Sequence, residues 1–453
     1  MSGRWKRIAL LTVTAALALV VAAFASAKTG KITGPAASQA NTLTIMGFGT
    51  NGDDVAMTRF HRAEAAVSKM GFDVSAPNGG FDDQQFLAAL ASGSVPDLVY
   101  LDRQKVGTYA AKGAFQPLTS CIKSQKIVMS QYRKPAVQEV TYKGKVYGIP
   151  EFYTARTIIG DLDVMKAAHV TVKDLNTKNL ARLKVVAKKM YQASGGKVTR
   201  IGFDPKLPEF FPLWAKAFGV DILSKDGLHA HLNDPRAVAA LTYAVSLINE
   251  QGGWDRFKSF RDTWDFFGAG NQVAKNQIGA WPMEQWYYNV LAGTSPNVKI
   301  VAIPFRNHIG NAINYETGSA WAIPKGAKHA DAACAWAKTM TSVPTWMAAA
   351  VNRAQIRKAK NQPYTGILTG NAIADRLLYK NTYSSINPYF DQAVKTFLDV
   401  QKFSFGIPAS PASAEFANAW MDAINRVLTG QQSVKAALNQ AQKEAQAAID
   451  KAK

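Results

Sequence analysis

Hydrophobic and polar positions alternate along this chain in a pattern typical of short strands joined to amphipathic helices. Residues 81–103 show the pattern most clearly. Asp82 stands where a helix cap is expected, Gly93 supplies the left-handed residue that ends a helix, and Pro96 prevents its continuation. Residues 98–100 are apolar and predict a short buried strand.

The same signals recur over most of the chain. Their repeated alternation predicts the α/β class, with parallel or mixed sheets covered by helices. The main predicted elements are strands at residues 43–46 and 298–303 and helices at residues 56–70, 178–191, 235–248, 416–428 and 433–449.

Polar residues follow the ends of two further predicted strands. Asp102 and Arg103 come after residues 98–100, and Glu284 and Trp286 come after residues 278–281, where Pro282 is expected to start a helix. In open α/β sheets, ligands bind at the carboxyl ends of strands. Both groups are therefore expected to face a binding cleft.

The first 27 residues have the composition of a signal peptide. A basic start precedes an apolar run at residues 8–24, and residues 25–27 (ASA) match the small-residue cleavage motif. We expect cleavage after Ala27, a flexible spacer at residues 28–40, and an exported mature protein at the periplasm or the outer face of the cell envelope. A retained membrane anchor is the alternative, because the run is nearly long enough to span a bilayer.

The chain is strongly basic. Its formal net charge of +21 falls to +18 without the first 27 residues, which carry three basic residues and no acidic one. Lys and Arg are dispersed along the sequence, so the charge indicates a solvated surface and no nucleic-acid partner. Attraction to an anionic envelope or an acidic ligand is the alternative. The two cysteines, Cys121 and Cys334, leave a disulfide and two buried thiols equally open.

Several stretches resemble, in order, segments of one protein family. Residues 143–150 (KGKVYGIP), residues 317–326 (TGSAWAIPKG) and the alanine-rich end from residue 416 each match a characteristic segment, as do residues 81–103. The resemblance covers roughly residues 41–450. The chain is thereby identified as similar to extracellular solute-binding proteins of family 1, the maltose-binding-protein-like receptors of ABC sugar importers.

This resemblance implies a periplasmic-binding-protein-like fold of type II, in which two α/β lobes are joined by a hinge and enclose a ligand cleft. The expected division places residues 41–150 and 314–357 in lobe 1, and residues 151–313 and 358–453 in lobe 2. Both cysteines then fall in lobe 1, so a disulfide between them is geometrically conceivable.

The resemblance also implies a function. A monomer peripheral to the membrane would bind a sugar or oligosaccharide between its lobes and deliver it to the permease subunits of an ABC importer. Sugar recognition needs flat rings for C–H faces and acid, amide or arginine groups for hydroxyls. A receptor for a non-sugar solute, such as a polyamine or a sugar phosphate, is one alternative.

A secreted carbohydrate-active hydrolase is the other alternative. Glu151 and Glu284 have the chemistry of a glycosidase pair, but a sequence does not fix their separation. The six histidines are scattered, and P-loop, G-x-S-x-G and CxxC motifs are missing from the sequence. We therefore predict a binding protein without catalytic residues, metal or cofactor.

Three tryptophans are expected at the ligand. Trp286 matches the sugar-stacking tryptophan of the family's DGPW segment, although Glu284-Gln285 replaces the family's Gly-Pro and adds a charged acceptor. Trp281 lies in the same cluster, and Trp321 matches the tryptophan of the family's GGWG strand. Core packing is the alternative for all three.

Polar residues complete the predicted ligand-binding set. Glu151 and Tyr153 follow the 143–150 hairpin at the first crossing between lobes, where local hydrogen bonds within a hinge are the alternative. Asp102 and Arg103 resemble a sugar-binding pair of maltose-type receptors. A plain surface ion pair is the alternative. The remaining predicted contacts are at strand ends or helix starts: Phe48, Asn51 and Asp82, the last of which also fits a simple helix cap.

Overall fold

The computed structural model describes residues 41–384 and 387–453. The predicted signal peptide, its cleavage site after Ala27 and the spacer at residues 28–40 lie outside these residues. Within the described ranges, no helix combines the length and the apolar character that crossing a bilayer requires.

The helices and strands alternate as the sequence predicts. The strands are β1 (Asn41–Met46), β2 (Phe72–Ser75), β3 (Leu98–Asp102), β4 (Thr141–Tyr142), β5 (Lys145–Val146), β6 (Ile149–Pro150), β7 (Arg156–Asp161), β8 (Gln192–Ser194), β9 (Lys197–Phe203), β10 (Ile278–Glu284), β11 (Ile300–Ile303), β12 (Asn314–Tyr315), β13 (Ser319–Ala322) and β14 (Ser404–Phe405). The helices are α1 (Asp54–Ser68), α2 (Asp83–Ser92), α3 (Arg103–Ala111), α4 (Thr119–Ser124), α5 (Lys134–Glu139), α6 (Leu162–Ala167), α7 (Leu180–Met190), α8 (Phe211–Ala217), α9 (Pro235–Asn249), α10 (Trp254–Arg261), α11 (Trp286–Thr294), α12 (Ala330–Thr341), α13 (Val343–Ala359), α14 (Ala372–Asn381), α15 (Pro388–Val400), α16 (Ser413–Leu428) and α17 (Val434–Ala452).

Lobe 1 is built on a five-stranded sheet with the order β2-β1-β3-β13-β6. β1 is parallel to β2 and β3, whereas β13 is antiparallel to β3 and β6. Side chains alternate between the two faces, so Leu98 and Trp321 join one core cluster while Val99 and Ala320 join the other. The sheet is therefore covered on both faces, as the α/β class requires.

Lobe 2 is built on a second five-stranded sheet with the order β11-β7-β10-β9-β8. β7 is antiparallel to β10 and β11, and β9 is parallel to β10 and forms a hairpin with β8. Helices α7 and α10 pack on β9, and α15 packs on β11. The two mixed sheets confirm the predicted fold of two α/β lobes.

The chain passes from one sheet to the other through residues 151–155 and residues 304–318, which we call the hinge. Within it, β12 pairs in parallel with β14, so the segment that begins at Ser404 lies beside the second crossing. Helix α14 packs on α13 of lobe 1, and α15 packs on lobe 2. The residue boundaries of the lobes stay a prediction.

The predicted end signals of α2 are confirmed. The Asp82 carboxylate accepts a hydrogen bond from the Gln85 N–H at 2.8 Å, and Gly93 has a φ of 71° at the C-terminal end. Cys121 and Cys334, whose pairing the sequence left open, form a disulfide between α4 and α12.

The prediction of a helix that starts at Pro282 is wrong. β10 continues through Pro282 to Glu284, and α11 starts only at Trp286. On one side of β10, the pairing with β9 stops at Ala280, opposite Phe203. A proline without an N–H is tolerated in the strand beyond that point, because no further donor is needed there.

Candidate functional site

A cleft of about 560 Å³ lies between the lobes at the carboxyl end of β3. Asp102, the last residue of β3, faces it from lobe 1, and Glu209 and Trp420 face it from lobe 2. Tyr315 and Thr317 of the hinge also line it. The position agrees with the rule that open α/β sheets bind ligands at strand ends.

A larger cavity of about 740 Å³ is also lined from both lobes, by residues that include Tyr142, Asp221 and Pro408. None of its lining residues belongs to a strand of the two five-stranded sheets. We therefore take the smaller cleft as the candidate ligand site.

Asp102 and Arg103 are adjacent in sequence but lie in different environments. Asp102 is exposed at the cleft, and it forms no ion pair with any residue of ranges 41–384 and 387–453. Arg103, the first residue of α3, points into the interior, where its Nε donates to Glu139 at 2.6 Å and its Nη2 donates to Glu316. The predicted pair therefore divides into a cleft residue and a buried structural cation.

The lobe 1 wall carries a second charged group, which the sequence did not reveal. The Asp83 carboxylate accepts hydrogen bonds from Lys105 at 2.5 Å and from the Tyr109 hydroxyl at 2.6 Å. Burial alone would raise the pKa of Asp83, but these hydrogen bonds hold it below its ordinary value. Burial and the Asp83 carboxylate together raise the pKa of Tyr109, so the phenol stays a donor. This triad presents fixed polar groups to the cleft.

Arg156 links lobe 2 to the hinge. It begins β7 opposite Glu284, the last residue of β10, and its Nη2 donates to the Glu284 carboxylate at 2.8 Å and to the Thr317 hydroxyl at 3.0 Å. The guanidinium also lies over the Tyr315 ring, 4.5 Å from its centroid. Glu284, predicted as a free acceptor, is thus already engaged by Arg156.

Trp286 lies partly buried at the start of α11, close to the end of β10. Its ring stacks on Phe267, with 6.0 Å between ring centroids and 17° between ring planes. Phe267 is 66% exposed. Sequence reasoning missed Phe267, although the aromatic run at residues 264–267 was a signal that could have found it.

Glu151 and Tyr153 are buried within the hinge. Glu151, 1% exposed, pairs with Arg59 of α1, whose guanidinium lies 4.0 Å from the centroid of the Trp346 ring. Tyr153 is equally buried beneath the Arg133 guanidinium at 4.9 Å, and burial raises the pKa of its hydroxyl. Both side chains hold the hinge in this conformation.

The other predicted residues occupy core or loop positions. Trp321 and Phe48 pack together in lobe 1, with 5.2 Å between their ring centroids, and Trp281 is fully buried in lobe 2. Asp82 caps α2, and Asn51 is exposed in a turn with a φ of 46°. The structure therefore brings Asp102 to the cleft and Glu284 to its border. Four predicted aromatic residues are not among those that line it: Trp286, Trp281, Trp321 and Phe48.

Two lobes, a hinge and a polar cleft at strand ends define the class of solute-binding proteins. Residues 62–354 match the family of bacterial extracellular solute-binding proteins, and the chain belongs to this family. A search of curated proteins found no match.

Solved structures share the fold at low sequence identity. CpMnBP1 with mannotriose bound is 21% identical, with a TM-score of 0.71 and coverage of 89% of this chain and 100% of that chain. Lmo0181 from Listeria monocytogenes, in complex with cycloalternan, is 18% identical, with a TM-score of 0.71 and coverage of 90% and 99%. MalE from Bdellovibrio bacteriovorus, bound to maltotriose, is 19% identical, with a TM-score of 0.67 and coverage of 90% and 100%. At these identities, the similarity shows the fold.

Proposed function

We propose that the protein is the receptor of an ABC importer, which binds a sugar or oligosaccharide in the interlobe cleft and delivers it unchanged to a membrane permease. The exported protein would act as a monomer after cleavage behind Ala27. The observation that carries the proposal is the cleft itself, which places polar groups of both lobes around one space at the strand ends. The oligosaccharide ligands of the structural neighbours support it.

The cleft chemistry suits hydroxyl groups. Asp102 and Glu209 offer carboxylate acceptors from opposite lobes, and Lys105 and Arg156 offer donors already held in place by ion pairs. Preorganised donors and acceptors lower the cost of ordering side chains around a ligand. Trp286 and Phe267 are not among the residues that line the cleft, but they form a stacked aromatic surface of the kind that binds sugar C–H faces.

The charge of the cleft differs from that of the whole protein. Lys105, Lys112 and Arg156 are each paired with a carboxylate, whereas Asp102 and Glu209 have no ion-pair partner in the part of the chain that the structure describes. The cleft therefore has an excess of negative charge in a protein of net charge +21. This balance favours a neutral or cationic solute over the acidic ligand that was the alternative interpretation of the overall charge.

A ligand panel tests the proposal. We expect calorimetry with mannotriose, maltotriose and spermidine to show saturable binding of a saccharide, and chromatography to recover that saccharide unchanged. Saturable binding of spermidine and of neither saccharide would show that the ligand is a cationic solute and not a sugar. Release of shorter saccharides would indicate a hydrolase.

Removing the exposed ring is expected to weaken saccharide binding. Phe267→Ala should cost about 0.5–1.5 kcal/mol of binding free energy, because one stacking surface is lost. Phe403→Ala is the matched control, since Phe403 is also exposed but, unlike Phe267, does not stack on Trp286. Equal affinities of the two variants would show that Phe267 does not contact the ligand.

A further inference from the structure

Three charged side chains are fully buried where α3, α5 and the hinge meet. Arg103, Glu139 and Glu316 have exposed fractions of 0%, 1% and 0%. Arg103 donates one hydrogen bond to each carboxyl group. With both carboxyl groups ionised, the cluster would hold one uncompensated negative charge away from water, which is costly.

Arg103 binds only one oxygen of each carboxyl group. Glu139 Oε1 and Glu316 Oε1 are buried and have no hydrogen-bond partner among the described residues. Both lie against Gly406, where a β-carbon would come within 2.6 Å of the first and 3.0 Å of the second. The two oxygens therefore lie no more than 5.6 Å apart (2.6 Å plus 3.0 Å) in a buried space, and a proton on either carboxyl group removes the excess negative charge.

Arg156 and Arg133 oppose the rise in the pKa of Glu316 but do not cancel it. Arg156 is engaged by Glu284 at 2.8 Å, and Arg133 is engaged by Asp375 at 2.5 Å. The phenols of Tyr153 and Tyr315 also face the pair. Burial raises the pKa of both, so they stay neutral and add no charge.

We propose that the Glu139–Glu316 pair holds one proton at neutral pH, and that this singly protonated pair stabilises the junction of α5 of lobe 1 with the hinge in a pH-sensitive way, which we call the lock. Glu139 is the last residue of α5, whereas Glu316 lies in the second crossing, where its N–H donates to the Phe405 carbonyl at 2.9 Å. The protonated pair therefore joins an element of lobe 1 to the second crossing and, through it, to β14. Loss of the proton would leave two negative charges repelling each other across this junction.

The direction of the pKa shifts agrees with the geometry. Burial, and next the charge of Glu316, raise the pKa of Glu139 well above its ordinary range. Burial also raises the pKa of Glu316, although Arg103 opposes this. A raised carboxyl pKa means that the folded protein binds more protons than the unfolded chain above the ordinary pKa of about 4.3. The pair's contribution to stability is therefore complete at low pH and declines as the pH rises.

Thermal unfolding between pH 5 and pH 9 tests the lock. Glu139→Gln keeps the shape of a protonated glutamic acid but cannot ionise. We expect its Tm to approach that of the wild type at pH 5 and to exceed it by a margin that grows towards pH 9. Glu250→Gln, at an exposed glutamate paired with Lys184, should follow the wild-type pH dependence. A Glu139→Gln variant with the wild-type pH dependence, or one that does not fold, would overturn the proposal.

Hydrogen–deuterium exchange gives a local readout that a general change in packing would not produce. At pH 8, peptides covering residues 134–140 and 314–318 should exchange more slowly in Glu139→Gln than in the wild type, and the difference should vanish at pH 5. Peptides from α17 serve as the internal control. Equal exchange of the hinge peptides at both pH values would contradict a lock at this junction.

Discussion

Replacing Arg103 with methionine is expected to reduce the free energy of unfolding at pH 7 by about 3–5 kcal/mol, because the change removes the only guanidinium that is hydrogen-bonded to Glu139 and Glu316 in the described chain. The Phe152 carbonyl also loses the donor that Arg103 supplies. Urea unfolding followed by circular dichroism measures the loss.

The matched control is Lys184→Met, which removes an exposed cation paired with Glu250 at 3.1 Å. Exposed ion pairs contribute about 0–1 kcal/mol, so this variant should remain close to the wild type. The loss in Arg103→Met should shrink at pH 5, where both carboxyl groups can be protonated. Similar losses in the two variants, or a loss independent of pH, would contradict the structural role of Arg103.

Replacing Trp321 with alanine is expected to destabilise the folded protein by about 3–5 kcal/mol through the cavity that it leaves in lobe 1. Trp321 is fully buried, and its ring centroid lies 4.7 Å from that of Tyr100 and 5.2 Å from that of Phe48. Urea unfolding of the variant measures this loss.

Trp286→Ala is the comparison for this experiment, because Trp286 is only partly buried. It should lose less stability than Trp321→Ala and should weaken saccharide binding. If Trp321→Ala keeps the wild-type stability but loses binding, Trp321 is a ligand contact and its assignment to the core is mistaken.

Local sequence patterns predicted the helices and strands well, because the start and end of an element depend mainly on residues close to it in the sequence. The cap at Asp82 and the stop at Gly93 define α2 without any distant contact. Pro282 shows the limit of such signals, because β10 tolerates it only where its pairing with β9 has ended. Where this pairing ends depends on the length of β9, which the sequence around Pro282 does not contain.

Strand ends predicted the place of the cleft but not the direction of each side chain. Asp102 and Arg103 differ by one position, and only the first lies at the cleft. The partners of Arg103 are 36 and 213 residues away, and a single sequence gives no indication of such distant pairs. Trp321 shows the same limit, since its burial depends on how other elements pack around it.

The central claim is that one solute contacts both lobes in the cleft at the carboxyl end of β3. Calorimetric titration of Asp102→Ala and Glu209→Ala with the saccharide that saturates the wild type tests it most directly. Both residues line the cleft without an ion-pair partner in the described chain, one on each lobe, so each change removes an acceptor and spares the core. We expect both variants to bind more weakly than the wild type and to keep its Tm in the absence of ligand. Wild-type affinity in either variant would contradict a ligand held between the lobes at this site.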